Sequence, residues 1–351
     1  MDLYPLKFKP IYKEKIWGDK RLARIFHRKL PGQKIGESWE IAAHSAGLSI
    51  VSNGPLKGES LSELTRKYPE QLLGSFGNLS SVNTFFPLLV KFLDVEQPLS
   101  VQVHPDDNYK KMAEGESGKT EVWYIIDAEK GAGLIYGLKP ETEKEELRTA
   151  ISEGRIADYL NKIKVKKGEV YFLPAGTVHA IMGGVLIAEI QQNSDTTYRL
   201  YDWDRRDKKG QKRPLHIKKA LDVINYQQAN PVSDPLFIKG SDYRKKYLVC
   251  CPYFVLELIE LDGKYSISPA GERFYILINL RGEGELIYRS MKIKIGPGQI
   301  FLLPAGLAEV KINGRLEFLT AYLPPSRDIL QLQLRKDGFS EEKISRFISS
   351  L

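Results

Sequence analysis

Cysteine is nearly absent from this chain: two of 351 residues, Cys250 and Cys251, adjacent in sequence. Neighbouring residues rarely reach unstrained disulfide geometry, which excludes a disulfide framework. Two thiols in so long a chain fit a reducing compartment. With no third cysteine, a sulfur-ligated metal site has nothing to complete it, and both are read as packing residues. Long apolar runs are missing too. No stretch reaches the ~18 apolar residues that a membrane span requires, and the most apolar one, Phe85 to Val95, is interrupted by Pro87 and Lys91. The N-terminus is basic but carries no apolar signal core, which argues against secretion; the expected location is cytoplasmic, with no membrane partner. Histidine is scarce, and its five positions can be weighed one by one: His27, His44, His104, His179 and His216.

What is present is a soluble, well-charged chain, 42% hydrophobic and 27% charged. At about 100–200 residues per domain the length suggests two domains. The net charge of +8 and pI near 9.1 favour acidic partners in general. No helix-turn-helix, zinc-finger or RNA-binding signature accompanies it, so nucleic acid is not expected; a solvated basic surface is the plainer reading, and a small anionic substrate is compatible with the charge.

Short β-rich runs dominate: Leu99–Val103, Glu121–Ile126 and Val170–Leu173, then Phe254–Leu261, Arg273–Leu280, Glu285–Tyr288, Gln299–Leu303 and Arg315–Tyr322. They are bounded by Gly, Pro, Asp and Lys, as strands are. Helical spacing is confined to Leu61–Leu73, Glu141–Leu160, Pro214–Tyr226 and the tail beyond Asp328. The expected class is therefore mainly β, two jelly-roll β-barrel domains with short helical insertions. Asn230-Pro231 and Asp234-Pro235 read as a linker, giving domains 1–235 and 236–351.

An internal repeat supports the duplication. Gly168–His179 aligns with Gly298–Glu309, identical at five of twelve positions including Leu-Pro-Ala-Gly. Proline fixes one dihedral and glycine permits an unusual one, so the motif reads as a strand followed by a corner. A looser match pairs Glu121–Asp127 with Glu272–Asn279. The second copy has Glu309 where the first has His179, which suggests one working site and one structural copy.

In Ser100-Val-Gln-Val-His104, residues two apart share a strand face. Gln102 and His104 project together. Glu121 opens a later strand and His179 follows the Pro-Ala-Gly corner. Two imidazoles, a carboxylate and an amide oxygen suit zinc or another first-row divalent ion. The plainer reading stays open on spacing alone: a strand end at His104, a hydrogen-bonded core His179, a surface Glu121.

These residues resemble type I phosphomannose isomerases of the cupin superfamily, in their compact bacterial form. The resemblance rests on Pro98-Leu-Ser-Val-Gln-Val-His-Pro-Asp106, Gly118-Lys-Thr-Glu-Val-Trp-Tyr124 and Pro174-Ala-Gly-Thr-Val-His179, in the family's order. Ile16-Trp-Gly18, Gly36-Glu-Ser-Trp39 and Ser194-Asp-Thr-Thr-Tyr-Arg199 add to it. It implies one zinc per chain on Gln102, His104, Glu121 and His179, and interconversion of mannose 6-phosphate and fructose 6-phosphate through an enediol. It places Lys119, Asp195 and Arg199 around the sugar phosphate, with Ser100 beside them on the substrate side. Lys119 lies two residues before Glu121, on the same strand face. Asp195, Lys119, a bound water or a histidine are all chemically suited to be the base; a water network assisted by Asp195 is favoured.

Two plainer readings attach to these residues. Asp195 also suits a turn cap, and Arg199 an ion pair with Asp202 or Asp204. The basic run Arg205, Arg206, Lys208, Lys209 reads as a solvated loop. The competing functions are a non-catalytic sugar-phosphate-binding cupin and another metal-dependent cupin enzyme. A monomer or weak homodimer is expected.

Overall fold

The computed structural model describes residues 2–75, 85–112, 116–206, 209–227 and 235–348. The chain is mainly β and divides into two jelly-roll halves. In the first, Ile11–Asp19, Ile35–Ile41, Leu88–Val95, Val185–Gln192, Glu121–Ala128 and Val170–Leu173 form one sheet in that spatial order. Tyr198–Tyr201, Val101–Val103, His179–Ile181, Gly133–Leu138 and Leu160–Lys164 form a second. The two sheets pack face to face through Trp17, Leu93, Trp123, Ile125, Leu134 and Ile181. Among the described residues they are separate hydrogen-bonded ladders packed face to face, the two-sheet arrangement of a jelly roll. The second half is one seven-stranded antiparallel sheet built from Leu236–Lys239 to Val310–Tyr322.

The first sheet is covered on both sides. Val90, Phe92, Val122, Tyr124, Ala188 and Ile190 face the second half and join its core. The opposite face looks into the sandwich. Strands covered on both faces read as nearly continuous apolar runs, and every residue of Leu88–Val95 and Val185–Gln192 is buried. The two Trp-bearing motifs near the start meet across this sheet. A Cβ on Gly18 would lie 2.5 Å from the Gly36 nitrogen, and one on Gly36 would lie 2.6 Å from the Trp17 ring. Glycine at both positions is what permits that approach. Leu6 exchanges backbone hydrogen bonds of 2.8 and 2.9 Å with Leu302, so the start of the chain lies against the second half.

Several sequence expectations are adjusted. Residues 61–73 form two helices, Leu61–Lys67 and Pro69–Leu73, because Pro69 restarts the chain. The first is closed by a Ser60–Glu63 capping box. The helix expected from Pro214 is Ile217–Val223, and that near Glu141 is Lys144–Ser152. In the second half the strands are longer than the sequence suggested. Val255–Ile267, Val310–Tyr322 and Tyr275–Tyr288 run on through Asp-Gly, Asn-Gly and Gly-Glu-Gly, which read as turns. Gly263 pairs with Gly314, and Gly314 with Gly284. This row of glycines crosses three strands, with φ of 135° at Gly263 and 146° at Gly314. It bends the sheet without ending it. Asn230, Pro231 and Asp234 of the expected linker, and Lys208 of the basic run, lie outside the described residues.

Candidate metal centre

Strand register brings the sequence's candidate ligands together. His179 stands directly opposite Gln102, and Gln102 opposite Arg199. Directly paired residues share a sheet face, so Arg199, Gln102 and His179 line up across the second sheet. Glu121 stands on the facing sheet, paired with Leu173 and Gln191. The Pro-Ala-Gly corner supplies the junction. Gly176, at φ 88°, donates its N–H to the His104 carbonyl at 2.8 Å, which draws the two histidine-bearing segments together.

His104, Glu121 and His179 offer ligand atoms within 4.8 Å of one another, all buried. His179 Nε2 lies 3.3 Å from Glu121 Oε1, and His104 Nε2 lies 3.7 Å from Glu121 Oε2. The Gln102 amide is 3.2 Å from His179 Nε2, and its oxygen and nitrogen exchange by a simple flip. A tetrahedral ion with bonds of about 2.0–2.1 Å holds its ligand atoms about 3.3 Å apart. The spacing therefore fits a first-row divalent ion.

The hydrogen-bond pattern fits it as well. His104 Nδ1 donates to the Thr196 carbonyl at 2.8 Å, and His179 Nδ1 to the Thr177 carbonyl at 2.9 Å. Each bond fixes the tautomer that leaves a lone pair on Nε2, facing the centre. Glu121 Oε1 is buried without a hydrogen-bond donor, and buried Oε2 meets only the Lys119 ammonium. A buried carboxylate left in that condition calls for an ionic partner. Lys119 Nζ supplies part of one, 2.9 Å from Glu121 Oε2 and 3.2 Å from His104 Nε2.

Titration agrees with this chemistry. Burial pushes Glu121 up to about 7 against the pull of Lys119. Burial lowers His179 to about 4, and burial with the Lys119 charge carries His104 well below its ordinary value. The imidazoles are thus neutral and ready to act as ligands.

The remaining predicted residues divide. Arg199 Nε donates to Ser100 Oγ at 3.2 Å, and its Nη1 to the Pro214 carbonyl at 2.9 Å. The ion pair with Asp202 or Asp204 is not made. Asp202 is taken by Arg205 and Arg213, and Asp204 by Lys212 at 2.5 Å. Arg199 is half-buried and its guanidinium has no carboxylate partner among the described residues. Asp195 is exposed at the rim, and only its backbone N–H is fixed, to Glu116 Oε2 at 3.3 Å. Cys250 and Cys251 are buried free thiols, with burial raising Cys251 to about 12.

Sequence reading missed a second buried group. Lys91 Nζ sits 3.0 Å from Glu189 Oε2 and donates to Gln191 Oε1 at 2.7 Å. Trp123 Nε1 donates to Glu189 Oε1 at 2.9 Å. Burial opposes the charge on Glu189, but Lys91 and Lys119 overcome it and hold the carboxyl below its ordinary range. The signal was in the sequence: a lone lysine inside Phe85–Val95 and a lone glutamate inside Val185–Gln192. A charge in a strand buried on both faces is retained only with a partner.

Comparison with known proteins gives the same answer. The family model described as "Phosphomannose isomerase type I, catalytic domain" matches residues 5–133, and "Mannose-6-phosphate isomerase, cupin domain" matches residues 243–323. The chain is 43% identical to mannose-6-phosphate isomerase ManA of Bacillus subtilis, over 92% of this chain and 100% of that protein. It is 39% identical to mannose-6-phosphate isomerase of Streptococcus mutans, over 91% and 98%. The crystal structure of mannose 6-phosphate isomerase from Bacillus subtilis superposes with a TM-score of 0.84 at 38% identity, covering 91% of this chain and 99% of that one. A phosphomannose isomerase structure from Salmonella typhimurium, 18% identical with a TM-score of 0.71 over 92% and 100% of the two chains, shares the fold. This chain belongs to the type I phosphomannose isomerase family.

Proposed function

We propose that the chain is a zinc-dependent mannose-6-phosphate isomerase, with the metal held by Gln102, His104, Glu121 and His179. The carrying observation is the buried Glu121 carboxylate. Its Oε1 has no hydrogen-bond donor, its Oε2 meets only Lys119 Nζ at 2.9 Å, and it faces two imidazole lone pairs at 3.3 and 3.7 Å. A divalent ion there supplies Lewis-acid stabilisation of negative charge on a substrate oxygen.

The chain's own residues supply the rest. Aldose–ketose isomerisation moves a proton between C1 and C2, and its cost lies in the charge that develops on oxygen. Preorganised cations are the strongest remedy for that cost. Lys119 faces Glu121 and Lys91 faces Glu189, with Glu37 as a further carboxylate beside Lys91, so these two lysines are balanced by carboxylates and Arg199 is the cation left for an anionic substrate. Arg199, steadied by Ser100 and the Pro214 carbonyl, offers its remaining N–H groups to phosphate or sugar oxygens. Lys119 stands at the centre and orients the sugar. Phosphate binding energy then holds the reacting carbons in place.

For proton transfer we keep a water network assisted by Asp195 at the rim. The deeper Lys91–Glu189 pair is a second relay, favoured by its burial and by its electrostatic hold on Glu121. The same reading takes the chain as a cytoplasmic monomer or weak homodimer. It divides the chain near residue 235, where the strands of the first two sheets give way to those of the third. The test is a coupled assay with mannose 6-phosphate on chelator-stripped protein, before and after zinc. Turnover restored by zinc is expected. Zinc binding without turnover would favour the sugar-phosphate-binding alternative. Metal-free turnover would remove the metal from the mechanism.

A further inference from the structure

The carbonyl that orients His104 belongs to Thr196, in a segment without regular secondary structure between the strands ending at Gln192 and beginning at Tyr198. What holds that carbonyl in place is a carboxylate from elsewhere in the chain. Glu116 Oε2 lies 3.0 Å from Ser194 Oγ, whose single proton it shares with the Ser117 carbonyl at 2.9 Å, and accepts from Asp195 N at 3.3 Å and from Thr196 Oγ1 at 2.9 Å. Three consecutive residues thus converge on one oxygen. The other oxygen, Oε1, meets His44 Nε2 at 3.1 Å. His44 Nδ1 accepts the Ala46 N–H at 3.1 Å, so Nε2 carries the proton and donates to Glu116. The His44 ring stands edge-on to Trp39, with centroids 6.4 Å apart.

We infer that Glu116, backed by His44, is a positioning residue for the metal centre. It sets the Ser194–Thr196 segment so that Thr196 fixes the His104 ring and Asp195 is held at the rim. The chain of contacts runs from His44 to Glu116, to Thr196, to His104, and carries no covalent step. Charge-assisted hydrogen bonds are about twice as strong as neutral ones, so the carboxylate restrains this segment more firmly than a neutral acceptor. The segment has other anchors: Gln191 Nε2 donates to the Ser194 carbonyl at 2.7 Å, and Asn193 Nδ2 to the Ala43 carbonyl at 3.1 Å. These hold residues 193 and 194. Thr196 N–H donates to Ser194 Oγ at 3.2 Å, and Glu116 is the group from outside the segment that holds the Thr196 side chain. Glu116 also lies three residues before Lys119, so the segments carrying Lys119 and His104's carbonyl partner are tied through it.

The inference rests on the metal reading above, and the test separates the two. Zinc affinity is measured by chelator competition on wild type, Glu116→Ala and Glu116→Gln. It is paired with unfolding temperatures with and without zinc, and with the NMR signal of the His104 Nδ1 proton. Outer-shell partners of metal ligands typically contribute about 10–100-fold to affinity. Glu116→Ala is expected at the low end, about tenfold weaker. Glu116→Gln is expected near threefold, because one amide cannot accept from the Asp195 N–H and the His44 N–H at once. A merely structural role would lower unfolding temperature equally with and without zinc. The positioning role shrinks the zinc-induced rise and broadens the His104 proton signal.

Should Glu116→Ala not fold, the double variant Ser194→Ala, Thr196→Val removes two of the three donors and leaves the carbonyl in place. It is expected to weaken zinc about threefold. Wild-type affinity in these variants, with wild type itself binding zinc, would overturn the inference alone. A wild-type chain that binds no zinc would overturn both readings.

Discussion

Each half of the molecule buries a carboxylate inside its β-sandwich or sheet, and the two are treated in opposite ways. Glu257 in the second half accepts from Thr320 Oγ1 at 2.8 Å and Tyr322 Oη at 2.9 Å, with Lys245 Nζ at 3.5 Å. Every demand of that group is met locally. Glu121 in the first half has Lys119 at 2.9 Å on Oε2, but its Oε1 has no donor and faces the His179 lone pair. The strand pair at the Glu121 position recurs in the second half with another residue: Leu173 stands opposite Glu121, and Leu303 opposite Tyr275. The corner that carries His179 inward in the first half presents Glu309 to solvent in the second, 3.4 Å from Lys311. The Leu-Pro-Ala-Gly corner therefore encodes backbone shape, and chemistry depends on a few inward side chains placed upon it. A locally satisfied carboxylate is architecture; an unsatisfied one marks the site where the fold carries a cost for function.

The sharpest way to break this comparison is to neutralise both carboxylates in turn. Glu121→Gln should abolish stoichiometric zinc and lower kcat/KM by roughly a thousandfold, the scale of several kcal/mol of lost charge stabilisation. Metal analysis and steady-state kinetics check it. Arg199→Lys keeps the charge but loses the planar fork, and should raise KM for mannose 6-phosphate about tenfold or more at unchanged zinc content.

The pH response probes Glu121 itself. The metal-free Glu121 carboxyl titrates near 7, above its ordinary value of 4.5, while His179 stays neutral down to about 4. Zinc binding therefore releases about one proton at pH 5 to 6 and essentially none at pH 8. Affinity should fall about tenfold per pH unit below 7, as calorimetry in buffers of different ionisation enthalpy would show. The sign for stability follows from the same value. A raised folded-state pKa favours the protonated form, so the metal-free chain gains from Glu121 below pH 4.5 and loses that gain as pH rises through 7. Zinc should raise the unfolding temperature more at pH 8 than at pH 5.

Glu257→Gln should do the reverse of Glu121→Gln: a loss of stability of about 1–3 kcal/mol, read by denaturant unfolding, with zinc content and turnover kept. The smallest effect is expected from Ser100→Ala, which frees one donor of Arg199. A hydrogen bond of about 1 kcal/mol corresponds to roughly a fivefold rise in KM.

Much of this was legible in the sequence. The alternation in Ser100-Val-Gln-Val-His104 places Gln102 and His104 on one face, and the repeat exposes the corner before His179. What the sequence hid has physical causes. Lys91 and Glu189 sit in strands apolar on both faces, so their pairing depends on contact between strands about 100 residues apart, which local spacing does not carry. The looser repeat, Glu121 with Glu272, is out of register by three residues. Leu303 pairs with Tyr275, and Glu272 lies in an exposed turn, because a Glu-aromatic-aliphatic pattern slides easily along a buried strand. The glycines at 263, 284 and 314 each resemble a turn in the local sequence. Only cross-strand pairing shows one bend.

The most direct test of the central contrast is anomalous diffraction at the zinc edge from crystals of the zinc-loaded chain. The account predicts one peak per chain, bounded by Gln102, His104, Glu121 and His179, with none beside Glu257 or Tyr275. A chain with no peak among those four residues, or with an equal one in the second half, would contradict it.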